Sequence, residues 1–204
     1  MTSKISTVLS VDVGETNLGI CLWHCVHGIC TWARMPLPCP ELHYTDRVKI
    51  FLERNKSLRE ADMLVIEAQP MIGQSSMHVI EACFCMAWPL NSAYRVNPHH
   101  VKAFLGHALS AKTYTHARSK ANAVGMVLRL ASEGYLRADL ACMFAAEAKK
   151  DDLADSFLQL MYFVCTAFGG PKKDPPAAAE MKRLRQAMLS WYDSPMADAG
   201  PSTS

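Results

Sequence analysis

Apolar and polar positions along the chain predict strands first and helices later. Residues 5–13, Ile-Ser-Thr-Val-Leu-Ser-Val-Asp-Val, are rich in β-branched side chains and run into Gly14, which predicts a first strand and a turn. Leu18 to Cys25 predicts a second strand, Val26-His27-Gly28 a turn, and Ile29 to Met35 a third strand. These form an antiparallel meander that the Pro36, Pro38 and Pro40 cluster ends. A helix capped near Thr45 follows, with Val48, Phe51 and Leu52 at i, i+3 and i+4 as its buried face. Met63 to Ile66 is a short continuous apolar run, the pattern of a parallel strand covered on both faces, and Glu67 closes it. A helix over about 76–88 carries Met77, Ile80, Phe84 and Trp88 as a stripe that reads as core for the most part. Tyr94 to Asn97 predicts a short strand, residues 98–109 and 116–132 two helices, and 140–168 a last helix or helix pair.

The expectation is therefore an α/β fold. A three-strand antiparallel meander plus parallel strands make one mixed sheet with helices on both faces, over residues 1–170. Residues 171–204 turn Pro-, Ala- and Ser-rich and predict a partly disordered tail with an amphipathic helix around 177–191.

Composition narrows the class without choosing a function. The 204 residues are 50% hydrophobic and 20% charged, enough for one substantial core. No stretch approaches the ~18 uninterrupted apolar residues of a membrane span. The first residues pass straight into a strand with no room for a signal peptide, so a non-secreted protein without a membrane partner is expected. Eight cysteines follow no disulfide framework and are expected as reduced, small apolar residues. The densest group, Cys21 to Cys30 with His24 and His27, lacks a C-x2-C pair. Strand alternation would also turn Cys21 and Cys25 away from His24, so structural zinc is disfavoured.

Charge is uneven. Residues 97–150 hold eight Lys/Arg against three acids, a net of +5, whereas residues 151–204 hold five against seven. A basic middle beside an acidic cluster suits an enzyme of the phosphate backbone, although a solvated helix face reads the same way.

Four acids stand out. Asp12 and Glu67 lie near the C-terminal ends of two apolar strands, where open α/β sheets place their ligands. Asp152 and Asp155 are three apart on a helix and share its face. A carboxylate buried without a partner costs several kcal/mol or takes up a proton. Divalent cations would remove that cost. Four carboxylates suit two Mg²⁺ ions, with Mn²⁺ as a substitute, about 3.5–4 Å apart. Taken singly, Asp12 could be a turn residue, and Asp151 and Asp152 could cap a helix. Their joint occurrence in this order argues otherwise.

The segments Ser10-Val-Asp12-Val-Gly14, Val65-Ile-Glu67-Ala-Gln69 and Lys149-Lys-Asp151-Asp152-Leu-Ala-Asp155-Ser156 resemble the three acidic motifs of RuvC-type Holliday-junction resolvases. They resemble most those of poxviruses and related large cytoplasmic DNA viruses, over residues 6–168. The resemblance implies an RNase H-like fold, a homodimer, and Mg²⁺-dependent resolution of four-way DNA junctions by paired symmetric nicks. It implies Asp12, Glu67, Asp152 and Asp155 as metal ligands and Lys120 as the lysine that stabilises charge on the phosphate in the transition state. Lys102, Lys112, Arg118 and Lys120 become the expected DNA contacts. Where bacterial members carry a wedging aromatic, this chain has Met71 and Ile72, aliphatic wedges in their place. A viral setting would put the protein in the cytoplasmic replication compartment or the nucleus.

Three other readings remain at this level. An RNase H-like nuclease acting on RNA–DNA hybrids or other branched substrates would need the same acids. A non-catalytic junction binder would gain nothing from four acids beside phosphates. An actin-like nucleotide-binding protein shares the opening Asp12-Val-Gly14-Glu-Thr16, but the chain lacks room for two lobes.

Overall fold

A computed structural model describes residues 5–69, 75–104, 116–167 and 176–193. Its elements are β1 (Thr7–Asp12), β2 (Asn17–His24), β3 (Gly28–Pro36), α1 (Tyr44–Arg54), α2 (Lys56–Arg59), β4 (Met63–Glu67), α3 (Ser75–Ala87) and β5 (Ala93–Val96). They continue with α4 (Pro98–Phe104), α5 (His116–Ser132), α6 (Ala138–Ala146), α7 (Lys150–Ala167) and α8 (Pro176–Asp193). The five strands make one sheet in the order β3-β2-β1-β4-β5. The first three are antiparallel, and β4 and β5 run parallel to β1. This is the expected mixed sheet.

The period of two along each strand sorts its residues between two cores. Leu9 and Val11 of β1, Leu18 and Ile20 of β2, and Leu64 and Ile66 of β4 pack with Phe51 of α1 and Phe84 of α3. Val8, Cys21, Trp23, Trp32 and Val65 face the opposite side, against α4, α5, α6, α7 and α8. The stripe Ile80, Phe84 and Trp88 is core as expected, with Trp88 donating its indole N–H to Ala61 O at 2.9 Å.

The predicted helix pair over 140–168 resolves into α6 and α7, separated at Glu147–Lys149. α7 is apolar nearly all round, because the sheet lies under it and α5 and α8 flank it. Trp32 locks its first turn: the ring stacks on Phe144 at 5.0 Å, and its N–H donates to Leu153 O at 2.9 Å. At the other end of the meander, the buried Arg47 guanidinium donates to the carbonyls of Leu37 and Pro38, closing the proline-rich segment onto α1. α1 itself begins at Tyr44, one residue ahead of the expected cap, with the His43 ring accepting the Thr45 N–H.

The amphipathic helix expected around 177–191 is α8, and it belongs to the same core. Met181, Leu184 and Ala187 are buried there. Arg185 lies 4.1 Å over the Phe104 ring and donates to Phe104 O at 3.2 Å, so α8 also holds the end of α4. Among the described residues no helix is long and apolar enough to cross a membrane. None of the eight cysteines is in a disulfide, and Cys21, Cys25 and Cys165 are buried in the core.

Candidate active site

The register of the sheet builds the site. β1 and β4 pair with Val11 opposite Ile66, so Asp12 and Glu67 follow side by side at the C-terminal ends of neighbouring parallel strands. Alternation turns both to the α7 face, the face of Val8 and Val65. Gly14 turns the chain tightly after Asp12; a Cβ there would stand 2.4 Å from Asn17 O.

Across β1, Asp12 pairs with Gly19, and Gly19 pairs in turn with Arg34 of β3. Gly19 decides how close α7 comes. A Cβ at that position would stand 2.1 Å from the main-chain oxygen of Asp152 and 3.2 Å from Asp12 Cβ. The missing side chain thus lets the first turn of α7 lie directly on the sheet, beside Asp12.

The electrostatics of the acids record this convergence. Asp12 is half-buried, and burial, then the charges of Asp155, Glu67 and Asp152, push its carboxyl well above the usual range; Lys120 opposes them. Burial, and then Asp155, push Glu67 up to about 7, against the pull of Lys102 and Lys120. Asp155 is the foremost charged neighbour of both.

Asp152 is different. Its carboxylate accepts from Lys149 Nζ at 2.7 and 2.9 Å, and Arg34 Nε stands 3.3 Å from Oδ2. Lys120, on α5, pairs at 2.6 Å with Asp151, not with one of the four expected acids. Burial works against its charge, but the Asp151 bond and the charges of Asp151, Asp155 and Asp12 outweigh it, so the ammonium pKa is raised.

The donor set fits a hard divalent cation in its chemistry: carboxylate oxygens whose mutual repulsion a cation would relieve. In its present geometry the set is not closed. Among the described residues no three His, Cys, Asp or Glu side chains are arranged to hold a metal ion, and Asp152 is turned to its own lysine and arginine.

Of the other expected contacts, Lys102 lies on α4 within electrostatic reach of Glu67. Arg118 falls in the first turn of α5, its side chain outside the described residues. Met71, Ile72 and Lys112 also lie outside them.

Sequence reasoning missed several members of the site. Arg34 and Gly19 carry no local mark, because only the strand register puts them in one rung with Asp12. Lys149 and Asp151 were legible as neighbours of the last acidic motif, but as charge and cap rather than as partners. Glu81 is the least expected. It is 2% exposed on the apolar face of α3, where it accepts the Gln69 N–H at 3.1 Å and pairs with Arg95. It therefore pins the chain two residues after Glu67.

No protein-family model and no curated protein matches this sequence. Solved structures do. The Holliday junction resolvase of fowlpox virus matches with a TM-score of 0.56 at 17% identity, covering 77% of this chain and 97% of its own. The same viral enzyme in complex with substrate Holliday junction DNA matches with a TM-score of 0.54 at 16% identity, covering 76% of this chain and 95% of its own. The yeast mitochondrial Holliday junction resolvase matches with a TM-score of 0.59 at 16% identity, covering 93% of this chain and 89% of its own. The chain has the RNase H-like fold shared by the Holliday junction resolvases of fowlpox virus and yeast mitochondria.

Proposed function

We propose that the protein is a divalent-metal-dependent endonuclease that resolves four-way DNA junctions by paired symmetric nicks. The observation that carries this reading is the meeting of Asp12, Glu67, Asp152 and Asp155 on one side of the sheet, where, beyond burial, the charge of Asp155 raises the carboxyls of both Asp12 and Glu67 and that of Asp152 adds to the rise at Asp12. A fold likeness alone would not carry it, since one fold hosts many functions. The junction as substrate comes from the structural neighbours, whose substrate it is.

Asp12, Glu67, Asp155 and, after it leaves Lys149, Asp152 are the residues that would hold Mg²⁺. Bound there, the ions would activate a water and stabilise the leaving 3′ oxygen of a phosphodiester. The chain's own groups do the rest. The strand ends fix Asp12 and Glu67, and Gly19 and Trp32 seat the turn that bears Asp152. Lys102 and Lys120 supply positive charge around acids that would otherwise repel a phosphate. Two such sites in a two-fold homodimer would meet the two strands of a two-fold junction.

The direct test is incubation with a labelled four-way junction, a matched duplex and an RNA–DNA hybrid, with Mg²⁺ or EDTA. Paired nicks confined to the junction and lost in EDTA are expected. Cutting of the hybrid alone would replace this reading by a ribonuclease. Tight junction binding without cutting would replace it by a scaffold.

Lys120→Ala is expected to slow single-turnover cleavage by about 10²–10³-fold, the usual loss of one transition-state donor. Asp151, relieved of its partner, would titrate higher in the variant, because the Lys120 bond and charge lower it now. An unchanged rate would pass the role to Lys102.

A further inference from the structure

α4 carries Lys102 but cannot hold itself in place. It has seven residues, short of the about 12–15 that a helix needs to persist alone in water, so its position depends on what grips it. Its start is fixed where the chain leaves β5: the Asn97 side chain accepts the His99 N–H at 2.9 Å. Of its seven residues only Val101 is buried. Lys102 comes next, and it acts on Glu67 more strongly than Lys120 does. A helix pinned at one end and resting on one side chain can tilt, and a tilt would move Lys102 unless the other end is held too.

α8 holds that end. The Arg185 guanidinium lies 4.1 Å over the Phe104 ring, and its Nη2 donates to Phe104 O at 3.2 Å, the last carbonyl of α4, where a cation also suits the helix dipole. Tyr162 of α7 meets the same ring edge-on at 5.4 Å. The Nε of Arg185 is buried with no acceptor among the described residues. A buried N–H is seldom left bare. Here stacking on Phe104 sets the plane of the guanidinium, and the grip on α4 is made at the expense of Arg185's own hydrogen bonding. Arg183, on the same helix, stands 5.9 Å over the Tyr135 ring instead. That ring lies past the C-terminal end of α5, whereas Lys120 is near its start.

We infer that Arg185 is a positioning residue: through Phe104 it fixes the C-terminal end of α4, and so the place of Lys102 within reach of Glu67. This rests on the nuclease reading and deepens it. α8 is then part of the working enzyme and not only of its core, and Arg185 acts on the reaction through Lys102.

Two measurements on the full chain test this. Hydrogen exchange without DNA or metal reads the grip itself. Arg185→Ala should speed exchange of the α4 amides by about tenfold, and Arg183→Ala should leave them as in wild type. Single-turnover cleavage of a four-way junction with Mg²⁺ reads the consequence. Arg185→Ala should slow cleavage at saturating protein by about 10–10²-fold, the cost of a misplacement of up to about 1 Å, with junction Kd changed less than about threefold. Arg183→Ala, which takes the other arginine of α8 from its ring, should cleave at the wild-type rate. Arg185→Lys keeps a cation over Phe104 and should regain part of the rate. In a Lys102→Ala background, Arg185→Ala should slow cleavage no further.

An Arg185→Ala protein whose α4 exchanges as in wild type, or exchanges faster yet cleaves at the wild-type rate, would overturn the inference and leave the nuclease reading intact. So would equal slowing by Arg183→Ala, or a full further loss in the Lys102→Ala background, since either would mark a general loss of stability. A wild-type chain that cuts no junction would overturn both.

Discussion

Asp155→Asn is expected to abolish cleavage, by at least about 10³-fold in single-turnover rate, while junction binding survives or tightens. Asp155 is the foremost charged neighbour of both Asp12 and Glu67, so its loss removes the acid that links the two strand ends. Binding should tighten because one negative charge leaves a surface that must meet phosphates. A second readout needs no metal and no DNA. The Glu67 carboxyl, held up to about 7 by burial and then by Asp155, should titrate lower once that charge is gone. Carbon-detected NMR of the carboxyl measures it directly.

The sign of the stability effect follows. Between its ordinary value of 4.5 and about 7, folded Glu67 keeps a proton that the unfolded chain has released. Its contribution to stability is therefore lost as pH rises through that window. Asp155→Asn should shrink the loss. A variant that still cleaves, with Glu67 still titrating near 7, would remove Asp155 from the site.

Gly19→Ala is expected to cost both stability and activity. The added methyl would stand 2.1 Å from the main-chain oxygen of Asp152, and neither partner is a side chain that could rotate aside. The first turn of α7 must lift from the sheet or the sheet must bend. Overpacking of this kind costs about 1–3 kcal/mol, which for a chain of this size lowers the thermal midpoint by several degrees. A shift near 1 Å at reacting groups costs about 10²-fold in rate.

Gly125→Ala is the internal control. That glycine lies in α5 with nothing within 4 Å of an added Cβ, so alanine should stabilise by about 0.5–1 kcal/mol through helix propensity alone. The same substitution thus changes sign with its surroundings. Wild-type melting and cleavage for Gly19→Ala would show that α7 does not need its close approach.

The local pattern of the chain determined the meander, the buried fourth strand, the core stripe of α3 and the length of α5, because strands and helices declare themselves through periods of two and 3.6. It also singled out Asp12, Glu67, Asp152 and Asp155, since an acid at the end of an apolar strand, or one helical turn from another acid, is conspicuous in one dimension. The tertiary structure alone decided what surrounds them. Arg34 joins Asp152 because β3 pairs with β2 in one register, and a slip of one residue would turn it to the other face. Gly19 matters because a helix 133 positions later lies on it, and Glu81 because the Gln69 amide, just past β4, and Arg95 of β5 both come to it. α8 likewise joins the core through Met181 and Leu184 once α7 is in place to receive them. Contacts between distant segments leave no periodic trace. They exist only when strand register and helix docking bring the partners together.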